Sequence, residues 1–207
     1  MNQKNSLGLD SCFKDLEDPL ALFTIWLAEA EKKEINDPNA LSLATTNSKN
    51  EPSVRMVLLK GLSSKGFVFY TNLNSPKSKD LENNPKASMC FHWKSLQRQI
   101  RISGSVTQVD NEQADNYFNS RAYESRIGAW ASDQSRTLNN RKELEEKIEF
   151  YKEKYPNEKN VPRPPYWGGL LIRHRKIEFW QDMPHRIHKR EVYEFQGRVW
   201  NRFTLNP

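Results

Sequence analysis

Ser75-Pro76-Lys77 sets a capping hydroxyl, a proline suited to a first helical position and an ammonium side by side. A helix starting there would aim unpaired backbone N–H groups and one cation at a common point, which is an anion site; ordinary helix capping is the alternative. Tyr117, Arg121 and Ser125 recur every four residues, so on a helix they would share a face of two hydroxyls and a guanidinium. That face suits a phosphate, although a solvated helix surface is the commoner meaning. Arg55 and Lys60 bracket Met56, Val57, Leu58 and Leu59 on an expected strand. Five residues of separation puts them on opposite faces, ~16 Å apart along the strand, so they would not clamp one phosphate together. Two strand-end charges fit as well. Arg186 and His188, two apart, would project to one side of a strand, as a planar cation and a titratable ring over a ligand or as a charged edge. Trp180 reads more readily as core than as a ligand shelf.

Other chemistries lack their signatures. The eight glycines never form G-x-G-x-x-G or G-x-x-x-x-G-K-[ST], so neither dinucleotide binding nor a P-loop is supported. There is no H-E-x-x-H, and His185 and His188 have no acidic or sulfur partners at metal spacing, so no metal site is expected. No G-x-S-x-G elbow is present.

These residues must be carried by 207 residues, enough for one domain, with 32 basic against 26 acidic side chains and a net charge of +6. A hydrophobic share of 36% is lean, but 10 Phe, 6 Trp and 7 Tyr concentrate it in large side chains. Such a core is expected to need a subunit interface to complete it. No apolar stretch approaches the ~18–20 residues of a membrane span, and the first residues lack a signal-peptide pattern, so the expected compartment is the cytoplasm. Cys12 and Cys90 read as reduced thiols. Residues 161–207 hold nine basic and four acidic side chains and three of the four histidines. That basic, aromatic tail is compatible with nucleic acid, a membrane surface or small phosphorylated ligands.

The positioning elements follow from punctuation and periodicity. Asp18-Pro19 predicts a capped helix to about Lys33, with Leu20, Phe23, Trp26, Leu27 and Ala30 on one face. Strand-like runs follow at 41–46, 54–60, 67–71, 87–93 and 99–109, interrupted by a short helix over 75–83, and read as a β-meander. A second interruption over 111–120 precedes a charged surface helix marked by Leu144, Ile148, Tyr151 and Tyr155. Strands return at 170–181, 191–195 and 199–205. Roughly seven or eight strands and four or five helices imply a mainly β (α+β) barrel with peripheral helices. Residues 1–17 are expected to be a mobile extension, and 18–207 one domain whose region 161–207 serves dimerisation and the active site.

The ordered motifs RMVLLK (55–60), FYTN (69–72), NNP (83–85), RQ (98–99), YFNSR (117–121), S-x-x-G-A-W-x-S-x-Q-S (125–135), PPYWGG (164–169), IEFWQ (177–181), RIHKR (186–190) and RFTLNP resemble the pyridoxine (pyridoxamine) 5′-phosphate oxidase family. The match spans essentially 18–207. The resemblance implies an FMN-binding split β-barrel and a homodimer with FMN at the subunit interface. It also implies oxidation of pyridoxine or pyridoxamine 5′-phosphate to pyridoxal 5′-phosphate, with O2 as acceptor and H2O2 released. Carried over by position, FMN would contact Arg55, Met56, Val57, Leu58, Leu59, Lys60, Tyr70, Thr71, Lys77 and Gln99, with Gln134, Ser135, Trp180 and Arg190 completing the site, some from the partner. The substrate phosphate would meet Lys60, Tyr117, Arg121 and Ser125, with Arg186 and His188 as catalytic residues over the pyridine ring.

Three positions depart from the family pattern. Pro76 stands where an arginine is usual, which implies weaker FMN binding, partly offset by better helix initiation. Lys189 replaces a usual aspartate, and Asn2 and Asn5 fall where some members carry a closing arginine and tyrosine. Competing readings are a flavin-binding relative with another substrate or no oxidase activity, against which the intact substrate set argues, and a nucleic-acid-binding barrel, for which no recognition motif is present.

Overall fold

The chain's first helix is set by its two leading residues. Asp18 takes an extended conformation and accepts the Leu20 N–H at 2.9 Å, and Pro19 occupies the first turn, so α1 runs Pro19–Lys33 as the sequence predicts. The computed structural model describes residue 13 and residues 16–207. Two residues assigned to the extension are packed. Phe13 meets Trp26 edge-on at 5.3 Å, and the Leu16 carbonyl accepts from the Tyr193 hydroxyl at 2.8 Å. The rest of the extension except Glu17, including Asn2, Asn5 and Cys12, lies outside the described residues.

After α1 come β1 (Ala40–Thr46), β2 (Pro52–Leu58), β3 (Gly61–Ser63), β4 (Gly66–Asn72), α2 (Pro76–Asn83), β5 (Lys86–Trp93) and β6 (Arg98–Gln108). Three helices follow, α3 (Asn111–Asn119), α4 (Tyr123–Ala131) and α5 (Arg141–Lys154), and then β7 (Trp167–Gln181), β8 (Lys189–Gln196) and β9 (Val199–Thr204). All pairings are antiparallel, and the path of the sheet is β2-β1-β5-β6-β7-β4-β3, with β8 on β7 and β9 on β8. The expected meander is therefore only local: two early hairpins, β1–β2 and β3–β4, end up on opposite sides of the path. The sheet curls until β2 lies against β4, and the Lys60 N–H extends the β3–β4 hairpin by donating to the Val68 carbonyl at 2.8 Å. The result is a split barrel with helices outside its open seam.

Alternation along β1, β5 and β6 turns Leu41, Leu43, Met89, Phe91, Trp93, Ile100 and Ile102 into the curl. The apolar face of α1 fills it. Phe23 is fully buried, with its ring edge-on to Phe67 at 4.9 Å and Phe91 at 5.2 Å, and Trp26 meets Phe179 at 5.2 Å. Where β6 bends, a register shift falls at Ser103/Gly104, and a Cβ on Gly104 would stand 2.0 Å from the Arg173 carbonyl oxygen. Only glycine permits that approach. A smaller cluster built on Phe118, Ile127, Val161 and Trp167 seats α3, α4 and α5 beside the barrel.

Three local readings change. β3 is too short to signal itself in the sequence. The run predicted over 54–60 stops at Leu58, because the Leu59 N–H turns to the Asn39 carbonyl; Arg55 and Lys60 are thus not on one strand. Arg186 and His188 do not lie on a strand either. Residues Pro184–Arg186 form a 3-10 turn, and His185 (φ 58°) and Arg186 (φ 63°) adopt left-handed backbone that breaks any alternation.

Replacing Phe23 by Ala should cost about 3–5 kcal/mol of unfolding free energy in a denaturant titration, since it removes the ring that couples helix to sheet. Ile35→Ala, at a side chain 92% exposed, should shift it by less than about 0.5 kcal/mol.

Candidate functional site

A cavity of about 730 Å³ opens where β2, β4, α2 and α4 converge. Of the sequence-predicted residues, Met56, Val57, Leu58, Lys60, Tyr70, Thr71, Lys77, Tyr117, Arg121, Ser125 and Gln134 line it. Asn72, Ala122, Gly128, Ala129, Ser132 and Trp167 complete the wall. Its size is that of a small-molecule or cofactor site.

Lys77 enters from the first turn of α2. The expected side-chain cap at Ser75 does not form: the Ser75 hydroxyl donates instead to the Asn72 carbonyl at 2.7 Å and accepts from Lys77 Nζ at 2.9 Å. Nζ also donates to Gln134 Oε1 at 2.9 Å, an oxygen shared with the Thr71 hydroxyl at 3.2 Å. Lys77 is 8% exposed and meets neutral oxygens. Burial, helped by the nearby Arg55 charge, lowers its pKa to about 8. Arg55 itself does not line the cavity. Its Nη1 donates to Thr45 Oγ1 at 2.7 Å, and its Nη2 to Ser53 Oγ.

A second cationic station lies between α3 and α4. The expected single helix carrying Tyr117, Arg121 and Ser125 is broken: α3 ends at Asn119, the Arg121 N–H turns back to the Phe118 carbonyl at 3.2 Å, and α4 begins at Tyr123. The three side chains nevertheless line one cavity, because both helices pack on the same aromatic cluster. Tyr117 stacks on Tyr70 at 3.9 Å, Tyr70 stacks on Trp167 at 5.3 Å, and the Arg121 guanidinium lies over the Trp167 ring at 4.9 Å. Burial lowers the Arg121 pKa and raises those of Tyr70 and Tyr117. Arg121 Nη1 is a buried donor without a partner among the described residues. A donor left so in a cavity is free to take an acceptor from outside the chain, an anion or water.

The remaining predicted residues do not reach this cavity. Leu59 is buried in the main core, and Ser135 is exposed with φ 64°. Gln99 pairs with Trp180 across β6 and β7, and Trp180 with Arg190 across β7 and β8, so the three form one row on one face. His188 joins that row, its ring 4.7 Å from Trp180 and Nδ1 2.9 Å from Asp182 Oδ1. Glu178 holds Arg190 through Nε at 2.9 Å and Nη2 at 2.8 Å, while Arg186 is exposed. Lys189 lies over the Phe13 ring at 4.5 Å. Among the described residues no cluster of potential metal ligands occurs, and no helix is long and apolar enough to cross a membrane.

A split antiparallel barrel with a cation-lined cavity at its seam is a known class of fold. The chain matches, with a TM-score of 0.89 and 28% identity over 96% of both chains, the crystal structure of PhzG from Burkholderia lata 383 in complex with tetrahydrophenazine-1-carboxylic acid. It also has the fold of a pyridoxamine 5′-phosphate oxidase-related, FMN-binding protein from Nostoc punctiforme, with a TM-score of 0.73 and 16% identity over 94% of this chain and 100% of that one. Residues 27–155 match the family described as pyridoxamine 5′-phosphate oxidase, and residues 167–207 the pyridoxine 5′-phosphate oxidase C-terminal dimerisation region. A pyridoxine/pyridoxamine 5′-phosphate oxidase of Pelagibacter ubique is 58% identical over all of both chains, and one of Gluconobacter oxydans 51% identical over 92% of this chain and 94% of its own. The chain belongs to the pyridoxamine 5′-phosphate oxidase family.

The Lys77 amine should titrate near 8 in the ligand-free protein, against an ordinary 10.5, when followed by NMR of 13C-methylated lysines. Between those values the unfolded chain binds the extra proton, so the Lys77 contribution to stability rises with pH across that window. A phosphate-bearing ligand favours the ammonium and should move the titration upward.

Proposed function

We propose that the chain catalyses FMN-dependent oxidation of pyridoxamine 5′-phosphate and pyridoxine 5′-phosphate to pyridoxal 5′-phosphate, with O2 as acceptor and H2O2 released, in vitamin B6 biosynthesis and salvage. The observation that carries this reading is one cavity with two separate cationic stations, Lys77 at the start of α2 and Arg121 between α3 and α4. Two phosphorylated ligands need two anchors. The orphaned Arg121 Nη1 and the buried Lys77 ammonium both fit phosphate oxygens.

In this reading Lys77, with Thr71 and Gln134 beside it, holds the FMN phosphate, Arg55 adds positive charge from behind the cavity wall, and Met56, Val57, Leu58 and Lys60 with Tyr70 border the flavin. Lys60, Tyr117, Arg121 and Ser125 hold the substrate phosphate. Bound there, FMN would supply the acceptor for a hydride equivalent from the substrate carbon that bears the amine or alcohol, with O2 as final acceptor; the amine substrate would also take up one water and release ammonia to reach the aldehyde. The protein's part is placement: the phosphate anchor fixes the pyridine ring, and Trp167 orients the planar Arg121 guanidinium.

Gln99, Ser135, Trp180, Arg186, His188 and Arg190 are absent from the lining of the cavity, yet their residue types suit a flavin and a pyridine ring. A homodimer reconciles the two facts. A two-fold interface presents one protomer's cavity to its partner's Trp180–Arg190 row, and does so twice, which makes FMN an interface ligand. Arg186 then covers the substrate, and His188, held by Asp182, orients it or moves a proton. The reading places the protein in the cytoplasm and involves neither nucleic acid nor membrane.

The protein related to this chain that holds tetrahydrophenazine-1-carboxylic acid favours one second reading, a flavin oxidase acting on another substrate. An anaerobic visible spectrum separates them. Bound FMN should bleach on adding pyridoxamine 5′-phosphate and recover in air; retained flavin that does not bleach would select the second reading.

Arg121→Ala should raise KM for pyridoxamine 5′-phosphate by about tenfold or more while FMN stays bound. The composite site makes a further prediction. Arg121→Ala and Arg186→Ala chains, each impaired alone, should recover about one quarter of wild-type sites when randomly reassorted into dimers, because half the dimers carry one intact site. Reassortment without recovery would place both residues in one protomer's site.

A further inference from the structure

We infer that Asp80 is a positioning residue that fixes Arg55 beside Lys77 for the FMN phosphate, acting through the hydroxyls of Thr45 and Ser53; this rests on the FMN reading above. Asp80 lies on α2 one turn beyond Lys77, and its side chain is 12% exposed. Its Oδ2 accepts from Thr45 Oγ1 at 2.6 Å and from Ser53 Oγ at 3.3 Å. Each hydroxyl in turn accepts from Arg55, Thr45 from Nη1 at 2.7 Å and Ser53 from Nη2. The direct Arg55–Asp80 approach is 3.9 Å, longer than a hydrogen bond, so the carboxylate holds the guanidinium through the two hydroxyls.

A hydroxyl has one proton to give. By accepting those of Thr45 and Ser53, Asp80 turns their lone pairs toward Arg55, whose Nη1 also donates to the Leu43 and Ser53 carbonyls at 3.2 Å each; the relay adds the shorter bond to Nη1 and the contact to Nη2. Thr45 is 2% exposed, so water is poorly placed to replace the relay. One helix thereby carries both the ammonium that enters the cavity and the carboxylate that fixes the second cation behind it. In a chain with Pro76 where another guanidinium is usual, the phosphate depends the more on Arg55.

Charge alone predicts the opposite sign. Removing a carboxylate near an anion site should tighten anion binding through space, whereas loss of the relay should weaken it. The test is the dissociation constants of FMN and riboflavin, by quenching of flavin fluorescence, for wild type, Asp80→Asn, Thr45→Val and Thr45→Ser. Asp80→Asn and Thr45→Val should weaken FMN about tenfold and riboflavin, which lacks the phosphate, less than about twofold, while Thr45→Ser keeps wild-type affinity. FMN bound as tightly or more tightly by Asp80→Asn would overturn the inference, as would equal losses for FMN and riboflavin, the mark of a merely structural role. Should Asp80→Asn fail to fold, the Val and Ser variants at Thr45 decide alone. A wild-type chain that binds neither flavin would overturn the functional reading together with this one.

Discussion

The cavity is built around positive charge that the protein does not neutralise. Lys77 is nearly buried against the oxygens of Ser75 and Gln134, and Arg121 has a buried Nη1 without a partner, its guanidinium resting on Trp167. Buried charge is tolerated when paired, and a carboxylate at either place would be the cheapest way to stabilise the empty protein. The chain forgoes it and carries the cost in a lowered lysine pKa. What the surroundings supply is geometry: α2 begins with a proline that points Lys77 inward, and the split between α3 and α4 turns Arg121 toward the same space. Binding of an anion would recover the stability given up there, which is why the proposed ligands carry phosphate.

How much of this is readable in sequence depends on whether the signal is local. The Asp18-Pro19 cap, the alternation of β5 and the Pro76 helix start rest on neighbouring residues, and each is found where expected. The order of the sheet is not local. The β3–β4 hairpin leaves the β1–β2 hairpin and pairs with β7, a partner about a hundred residues away, and nothing in either strand announces that choice. The break at Ser120–Ala122 has no proline or glycine to mark it, and the left-handed backbone of His185 and Arg186 occurs at residue types that rarely adopt it. Eleven of the sequence-predicted site residues come together around one cavity. Trp167 lies in the quoted PPYWGG run, yet its place under Arg121 depends on the meeting of β7 with α3 and α4. Asp80 had no motif, and only the Thr45–Ser53 relay brings it into view.

The register of the sheet keeps the Trp180–Arg190 row apart from the cavity within one chain. Gln99, Trp180 and Arg190 are lateral neighbours on β6, β7 and β8, fixed by strand pairing and by the double contact of Arg190 with Glu178. The cavity is held equally firmly by α2 and the Tyr70–Tyr117–Trp167 stack. With both parts rigid, a two-fold axis is an economical way to bring them together, since one interface makes two sites. The lean composition agrees, as Val54 and Met56 on β2 remain exposed on the single chain.

The proline at 76 is best understood through the same field of charge. Burial, and after it the Arg55 charge, lowers the Lys77 pKa, and a guanidinium one residue before Lys77 would add another like charge nearby. It would attract the phosphate, but it would also drive Lys77 further toward the neutral amine at neutral pH. Pro76 removes that repulsion and sets the backbone angle that starts the helix, so the remaining ammonium is more fully charged and better aimed. In the proposed reading the loss of anion affinity would be smaller than the loss of one charge suggests. It falls on Arg55, whose orientation now decides how much of the remaining positive potential reaches the ligand.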